Sequence, residues 1–299
     1  MKHLIYFLLI INFSALAQDS ITKSKSQNKR YYIPLKQYVQ AGNELTAQDS
    51  ANFMYRNNDT LVEVSENFFN NIGSKRDGKR VKYEFKDSTF LKIYKNVVYN
   101  QSKNSSNETM KIWKDDIKIY FDSSVPVSHQ AILINFSAEL STGIDSLNIR
   151  KAASKEDSNL QVYYLNGSNS DEQFEPRMAD QSSAYYVYWN GKQQLNKGFI
   201  KIDPKKLKNE KYQIAHLKFQ FFKILGRFYS SSNLDCKSYL SNCKTIRKLT
   251  TIDQEILKYH YSYGICKGVN LKDFEELHAR NKALLKEHPN AQIYVVHNE

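Results

Sequence analysis

The side chains whose types and spacing could do chemistry are gathered in residues 214–226, IAHLKFQFFKILG. A hydrolytic zinc site of the form H-E-x-x-H-x-x-G sets two His four apart on one helical face to share the metal. The Glu between them is the general base, and a Gly ends the helix three residues after the second His. Counting back from Gly226, those three chemical positions hold Phe219, Gln220 and Lys223. Phe has no lone pair to give, Gln takes up no proton near neutral pH, and a protonated Lys repels a divalent cation. This register builds no zinc site and no catalytic set. A second register pairs His216 with Gln220, also four apart, with His260 or Asp253 as a distant third group. It supplies one good ligand and one poor one, and it puts Leu217 where the base belongs. The expected cofactor is therefore none, with zinc on His216, Gln220 and His260 as the alternative.

The apolar residues of the same stretch carry a plainer message. Ile214, Leu217, Phe221, Ile224, Leu225 and Phe228 follow helical spacing and Phe219 with Phe222 adds a second stripe, which predicts a helix buried on most sides. Cysteine and serine chemistry finds no support. Cys236, Cys243 and Cys266 lack the surroundings of a nucleophile, no G-x-S-x-G elbow is present, and no phosphate-cradling Gly-rich loop appears. Cys236 and Cys243 bracket the short polar loop 237–242 and are expected to pair, leaving Cys266 odd.

The elements that must position these residues lie in a chain of 299 with a formal net charge of +12. Residues 1–17 combine a basic start, an apolar run at 4–11 and small residues ending at Ala17, the pattern of a signal peptide cut before Gln18. The protein is thus expected to be exported, to periplasm, cell surface or beyond, with 18–30 a mobile polar leader. Its lysines are scattered singly, as on a solubilising surface, and the excess charge favours anionic partners. No nucleic-acid module is visible, and no later apolar run reaches membrane length.

Strand-like segments are expected at 60–64, 80–85 and 90–94, with a turn at 73–78, making 31–99 a small β-rich region ahead of a polar linker at 100–110. Beyond it, 111–299 reads as strands at 117–121, 147–151, 159–164, 184–189 and 198–203, with a helix at 129–140 between the first two. The long helix follows, then helices at 251–263, capped by Thr250 or Thr251, and at 271–287, and a last strand at 293–296.

The order of several short motifs resembles a zincin-like domain family of secreted bacterial proteins, a family related in pattern to metallopeptidases and without an assigned biochemical role. Trp113 precedes the first strand, Asn159-Leu160-Gln161-Val162 follows the first helix, and Leu225-Gly226 closes the active-site-like helix. Leu249-Thr250-Thr251-Ile252-Asp253 then opens a helix that ends at Tyr263-Gly264-Ile265. The likeness covers residues 111–270 and implies an α+β fold: a zincin-like mixed sheet packed on the active-site-like helix, a helical C-terminal part, and the small β-rich N-terminal region. Members commonly keep acidic residues on the helix before Leu-Gly, where this chain has Phe219 and Gln220. The resemblance thus implies a pseudopeptidase of the cell envelope, non-catalytic, holding an extended polypeptide or an envelope component in the old substrate groove by strand addition. Phe219, Gln220, Lys223, Tyr186, Tyr188 and Tyr261 are the expected groove residues. An active metallopeptidase with an atypical metal site at His216 is the alternative.

Overall fold

The computed structural model describes residues 30–297 apart from 41, 42, 57, 66, 67, 69–78, 102–107 and 266. The expected signal peptide, nearly all of the leader, the turn at 73–78 and Cys266 lie outside the described residues. The chain is α+β, built on a mostly parallel six-stranded sheet. Strands β5 (Ile112–Trp113), β10 (Gln194–Ile202), β8 (Leu160–Tyr164), β6 (Ile117–Phe121) and β7 (Ile149–Lys151) run parallel in that order. β9 (Ser183–Trp189) pairs antiparallel with the other side of β10 and forms the edge. Small pieces precede this sheet: β1 (Tyr31–Pro34), β2 (Met54–Arg56) and β3 (Asp59–Val64) form a three-stranded antiparallel sheet with the short helices α1 (Leu35–Gln40) and α2 (Ala47–Ala51). β4 (Lys79–Lys82) pairs with β11 (Tyr294–His297), joining the N-terminal region to the far end of the chain.

Residues 90–94, expected as a strand, belong instead to helix α3 (Ser88–Tyr99). The reason is local. Asp87 caps the helix by accepting from the Thr89 and Phe90 amides, and Phe90, Tyr94 and Val97 or Val98 recur at helical rather than alternating spacing. Their side chains join Trp113 and Phe274 in the core of the large sheet, so residues read as part of a separate region contribute to that core. Helices α4 (Val127–Ser141) and α5 (Glu210–Ile224) lie on the sheet face carrying Ile119, Leu160, Val162 and Ile200. The C-terminal helices α6 (Thr251–Tyr261) and α7 (Leu271–Glu287) fall where their periodicity places them, and Thr250 caps α6 in a reciprocal pair with Asp253. On the opposite face the Lys201 ammonium is buried against Asp171, which also accepts from Tyr163. This pair ties the 171–178 segment to the sheet.

Two close approaches fix α5. A Cβ on Gly198 would sit 2.9 Å from Ile224 Cδ1 and 3.2 Å from Leu160 Cδ1, so the glycine lets these side chains and the helix lie close over β10 without shifting. At the C-terminal end the last carbonyls, which have no partner within the helix, are taken by side chains from elsewhere. Trp113 Nε1 donates to Ile224 O at 3.0 Å, and Tyr261 Oη donates to Leu225 O at 2.7 Å. Arg227, at φ 50°, turns the chain away while the Phe228 amide donates to Lys223 O, the long-reach bond of a Schellman end. Gly226 is needed next to that left-handed residue for space: a Cβ there would lie 2.5 Å from the Phe228 ring and 2.8 Å from His260 Nε2.

Gly226→Ala is expected to destabilise the protein by about 1–3 kcal/mol through overpacking, and Phe221→Ala by about 3–5 kcal/mol through the cavity it leaves. Denaturant midpoints with unchanged m-values would show both; a neutral Gly226→Ala would mean that Phe228 and His260 yield freely.

Candidate functional site

The α5 face turned toward β9 carries His216, Gln220 and Lys223, at i, i+4 and i+7, so they form one line along the helix. β9 meets this line through Ser183. Gln220 Nε2 donates to Ser183 Oγ at 3.0 Å, and Ser183 Oγ lies 2.8 Å from His216 Nδ1. Burial, helped by the Arg247 charge, lowers the His216 pKa and so favours the neutral imidazole.

Lys223 is the least ordinary residue of the group. It is 6% exposed, and its Nζ donates to Oγ of the exposed Ser230 at 3.0 Å. Burial first, then the Arg247 charge, bring its pKa down to about 7. The lysine read from sequence as a fixed positive charge is thus poised between its two forms at neutral pH. Arg247 reaches in from the loop after the disulfide. Its guanidinium lies 3.9 Å from the centre of the Phe219 ring, a ring that also has Lys223 Nζ at 5.9 Å. The arginine donates to the carbonyls of Ser241, Cys243 and Thr245, while its Nε is buried with no hydrogen-bond partner among the described residues. The loop itself is held by the Cys236–Cys243 disulfide, as the spacing predicts, with the Cα atoms 5.2 Å apart.

The structure brings together three of the six expected groove residues, Phe219, Gln220 and Lys223, and separates the others. Tyr186 and Tyr188 stand on the β9 face away from Ser183, where the Arg177 guanidinium lies 4.6 and 5.4 Å from their rings and Tyr188 donates to Glu175. Tyr261 is 1% exposed and is spent in holding the end of α5. The alternative metal set is not assembled either. His260 lies against Gly226, ten residues beyond His216, which is about 15 Å along a helical axis. Both of its ring nitrogens are engaged: Nε2 donates to Lys111 O and Nδ1 accepts from Tyr94, and burial holds its pKa down to about 3. Asp253 accepts from Ser238, Thr250 and the Tyr239 amide and belongs to the α6 cap. Among the described residues no group of three or more His, Cys, Asp and Glu could hold a metal.

Sequence reasoning missed Ser183, Ser230 and Arg247. Each sits in a separate segment whose approach to α5 depends on tertiary folding. At the far end of β9, Trp189 is 39% exposed and lies between Lys111 Nζ and the Arg227 guanidinium, 4.8 and 5.1 Å from its ring. Arg227 is in turn paired with Glu108 at 2.8 Å, and Tyr229 donates to the same carboxylate. No protein-family model matches the chain, and no curated protein matches it.

The depressed Lys223 pKa has a stability consequence. Below pH 7 folded and unfolded chains both carry its proton and the burial penalty stands in full. Between about 7 and the ordinary 10.5 the unfolded chain holds the proton and the folded chain does not, so stability rises with pH across that window. Lys223→Met is therefore expected to be more stable than the parent at pH 6 by about 2–4 kcal/mol, with the gap closing toward pH 10. Urea titrations of both chains at pH 6, 8 and 10 would show this; a gap independent of pH would mean that the ammonium is not desolvated.

Proposed function

We propose that this chain is an exported, zincin-like protein of the cell envelope that binds an extended polypeptide, or an envelope component presenting an extended strand, without cleaving it. The observation that carries this reading is β9: a lone antiparallel edge on an otherwise parallel sheet, running beside α5 and paired among the described residues with β10 alone. The Asp203 amide donates to Ser182 O and the Gly198 amide to Asn159 O, which sets the alternation along the ladder. Ser182, Ala184 and Tyr186 accordingly turn their main-chain groups to β10, and Ser183, Tyr185 and Val187 turn theirs outward. An incoming extended chain can take those outward groups as a further strand, and such backbone pairing needs no metal.

The same helix that would carry ligands and a base in an active peptidase presents Phe219, Gln220 and Lys223 to this edge, and a phenyl ring and an amide supply neither metal nor proton transfer. The metallopeptidase alternative draws no support from the surroundings of His216, whose Nδ1 is hydrogen-bonded to Ser183. Among the described residues no helix is long and apolar enough to cross a membrane.

Peptides selected from a random displayed library on the purified chain are expected to slow hydrogen exchange at the Ser183, Tyr185 and Val187 amides. The Ala184 and Tyr186 amides, already bonded to β10, should change little. Peptide binding that leaves the three outward amides unprotected would refute strand addition.

A further inference from the structure

Lys223 and Arg247 share an imbalance that the packing of α5 does not account for. Each brings a basic head to the Phe219 ring, and neither forms an ion pair with a carboxylate among the described residues. The lysine is 94% removed from solvent yet among the described residues has only the Ser230 hydroxyl as its acceptor, and the arginine keeps a buried Nε–H with no partner among those residues. Buried donors without acceptors cost free energy that a folded chain normally avoids by supplying a partner. A missing partner that accepts hydrogen bonds and carries negative charge would answer both at once.

We propose that Lys223, Arg247 and Ser230 form a binding site for a single carboxylate group, supplied by the extended polypeptide that lies along β9. This rests on the reading of β9 as a docking edge and adds what that edge selects. Ser183 ties β9 to His216 and Gln220 on the helix face that carries Lys223, so a strand added outside β9 passes the same helix. Ser230, exposed and already accepting from Lys223, has its hydroxyl proton free to donate to a group arriving from solvent. The charge balance favours a carboxylate over a phosphate. Arg247 has Asp253 as a coulombic partner behind it and already gives three hydrogen bonds to loop carbonyls, so its positive charge is partly offset, and the charge that enters the site is the one proton Lys223 gains as the anion binds; one negative charge is matched and a second is not. The other charged groups that bear on the site lie behind Arg247, where the buried Asp253 and the Tyr239 phenol face it. The position at which a zinc hydrolase holds a cation would here hold an anion, in accord with the net charge of +12.

The test follows the titration of Lys223 by NMR in the purified chain carrying 13Cε-labelled lysine, with Lys223→Arg used to assign its signal. In 200 mM sodium acetate the midpoint is expected to rise by about one unit over that in sodium chloride at equal ionic strength, which by linkage is a tenfold preference of acetate for the protonated form. Arg247→Gln should remove most of that rise. Equal midpoints in acetate and chloride overturn the proposal, as does a larger rise in phosphate than in acetate. The edge-binding peptides provide the second arm: amidating the C-terminus, or replacing Asp and Glu by Asn and Gln, tells a terminal from a side-chain carboxylate. One of the two changes should weaken binding at least tenfold to the parent chain and little to Lys223→Met. Peptides that protect the β9 amides but ignore both changes refute the carboxylate site and leave the edge intact. An acetate response without any protection of β9 does the reverse.

Discussion

The fold depends on how the C-terminal end of α5 is finished. A helix ends with carbonyls that need donors, and burying such an end in a core is costly unless every one is met. Here the indole of Trp113 and the phenol of Tyr261 come from opposite ends of the domain to meet two of them. The strand that opens the large sheet and the helix that follows the disulfide loop are thereby fastened to one point. Gly226 allows the closure because His260 and Phe228 occupy the volume a side chain would need. Much of what lies nearby follows from this anchoring: His260 is locked between Tyr94 and the Lys111 carbonyl, and Arg227 is aimed at Glu108 beside Trp189.

With its end fixed, α5 has one rotation available, and that rotation decides which chemistry faces the sheet edge. Leu217, Phe221 and Ile224 go to the core, and His216, Gln220 and Lys223 go to β9. The two faces of β9 consequently differ. One carries Ser183, tied to the helix through its hydroxyl, with Val187 and Tyr185 packed on the core. The other is an aromatic layer in which Tyr186 and Tyr188 flank Arg177. A strand alternates its side chains, so residues adjacent in sequence cannot all line one groove. Grouping Tyr186 and Tyr188 with the helix residues overlooked that parity.

The sequence was most legible where a single periodic segment carried its own signals. The helix at 271–287 has the bounds its apolar spacing marks, the cap expected at Thr250 or Thr251 falls on Thr250, and the short Cys236–Cys243 interval disclosed its own bond. Segment 90–94 was misread because five residues were taken without the Asp87 cap before them and Val97 and Val98 after them, which complete the helical stripe. The candidate site was half legible. The line of residues on α5 is a matter of spacing, whereas Ser183, Ser230 and Arg247 reach it through β-pairing and loop closure, contacts between residues far apart in the chain that no local pattern encodes. The pKa of Lys223 belongs to the same class, since it is a property of surroundings and not of residue type.

The disulfide loop gives Arg247 a particular mechanical standing. The arginine hangs on a span pinned at Cys243 by a covalent bond and at Thr250 by the α6 cap, and its guanidinium is drawn to the carbonyls of Ser241 and Cys243 beside the first pin. Closing so small a ring removes about 2–3 kcal/mol of conformational freedom from the unfolded chain in the chain-entropy account. The benefit extends beyond stability. A long, flexible side chain ordinarily surrenders its rotational freedom at the moment it engages something. This one has surrendered it during folding, so its readiness is settled before anything arrives.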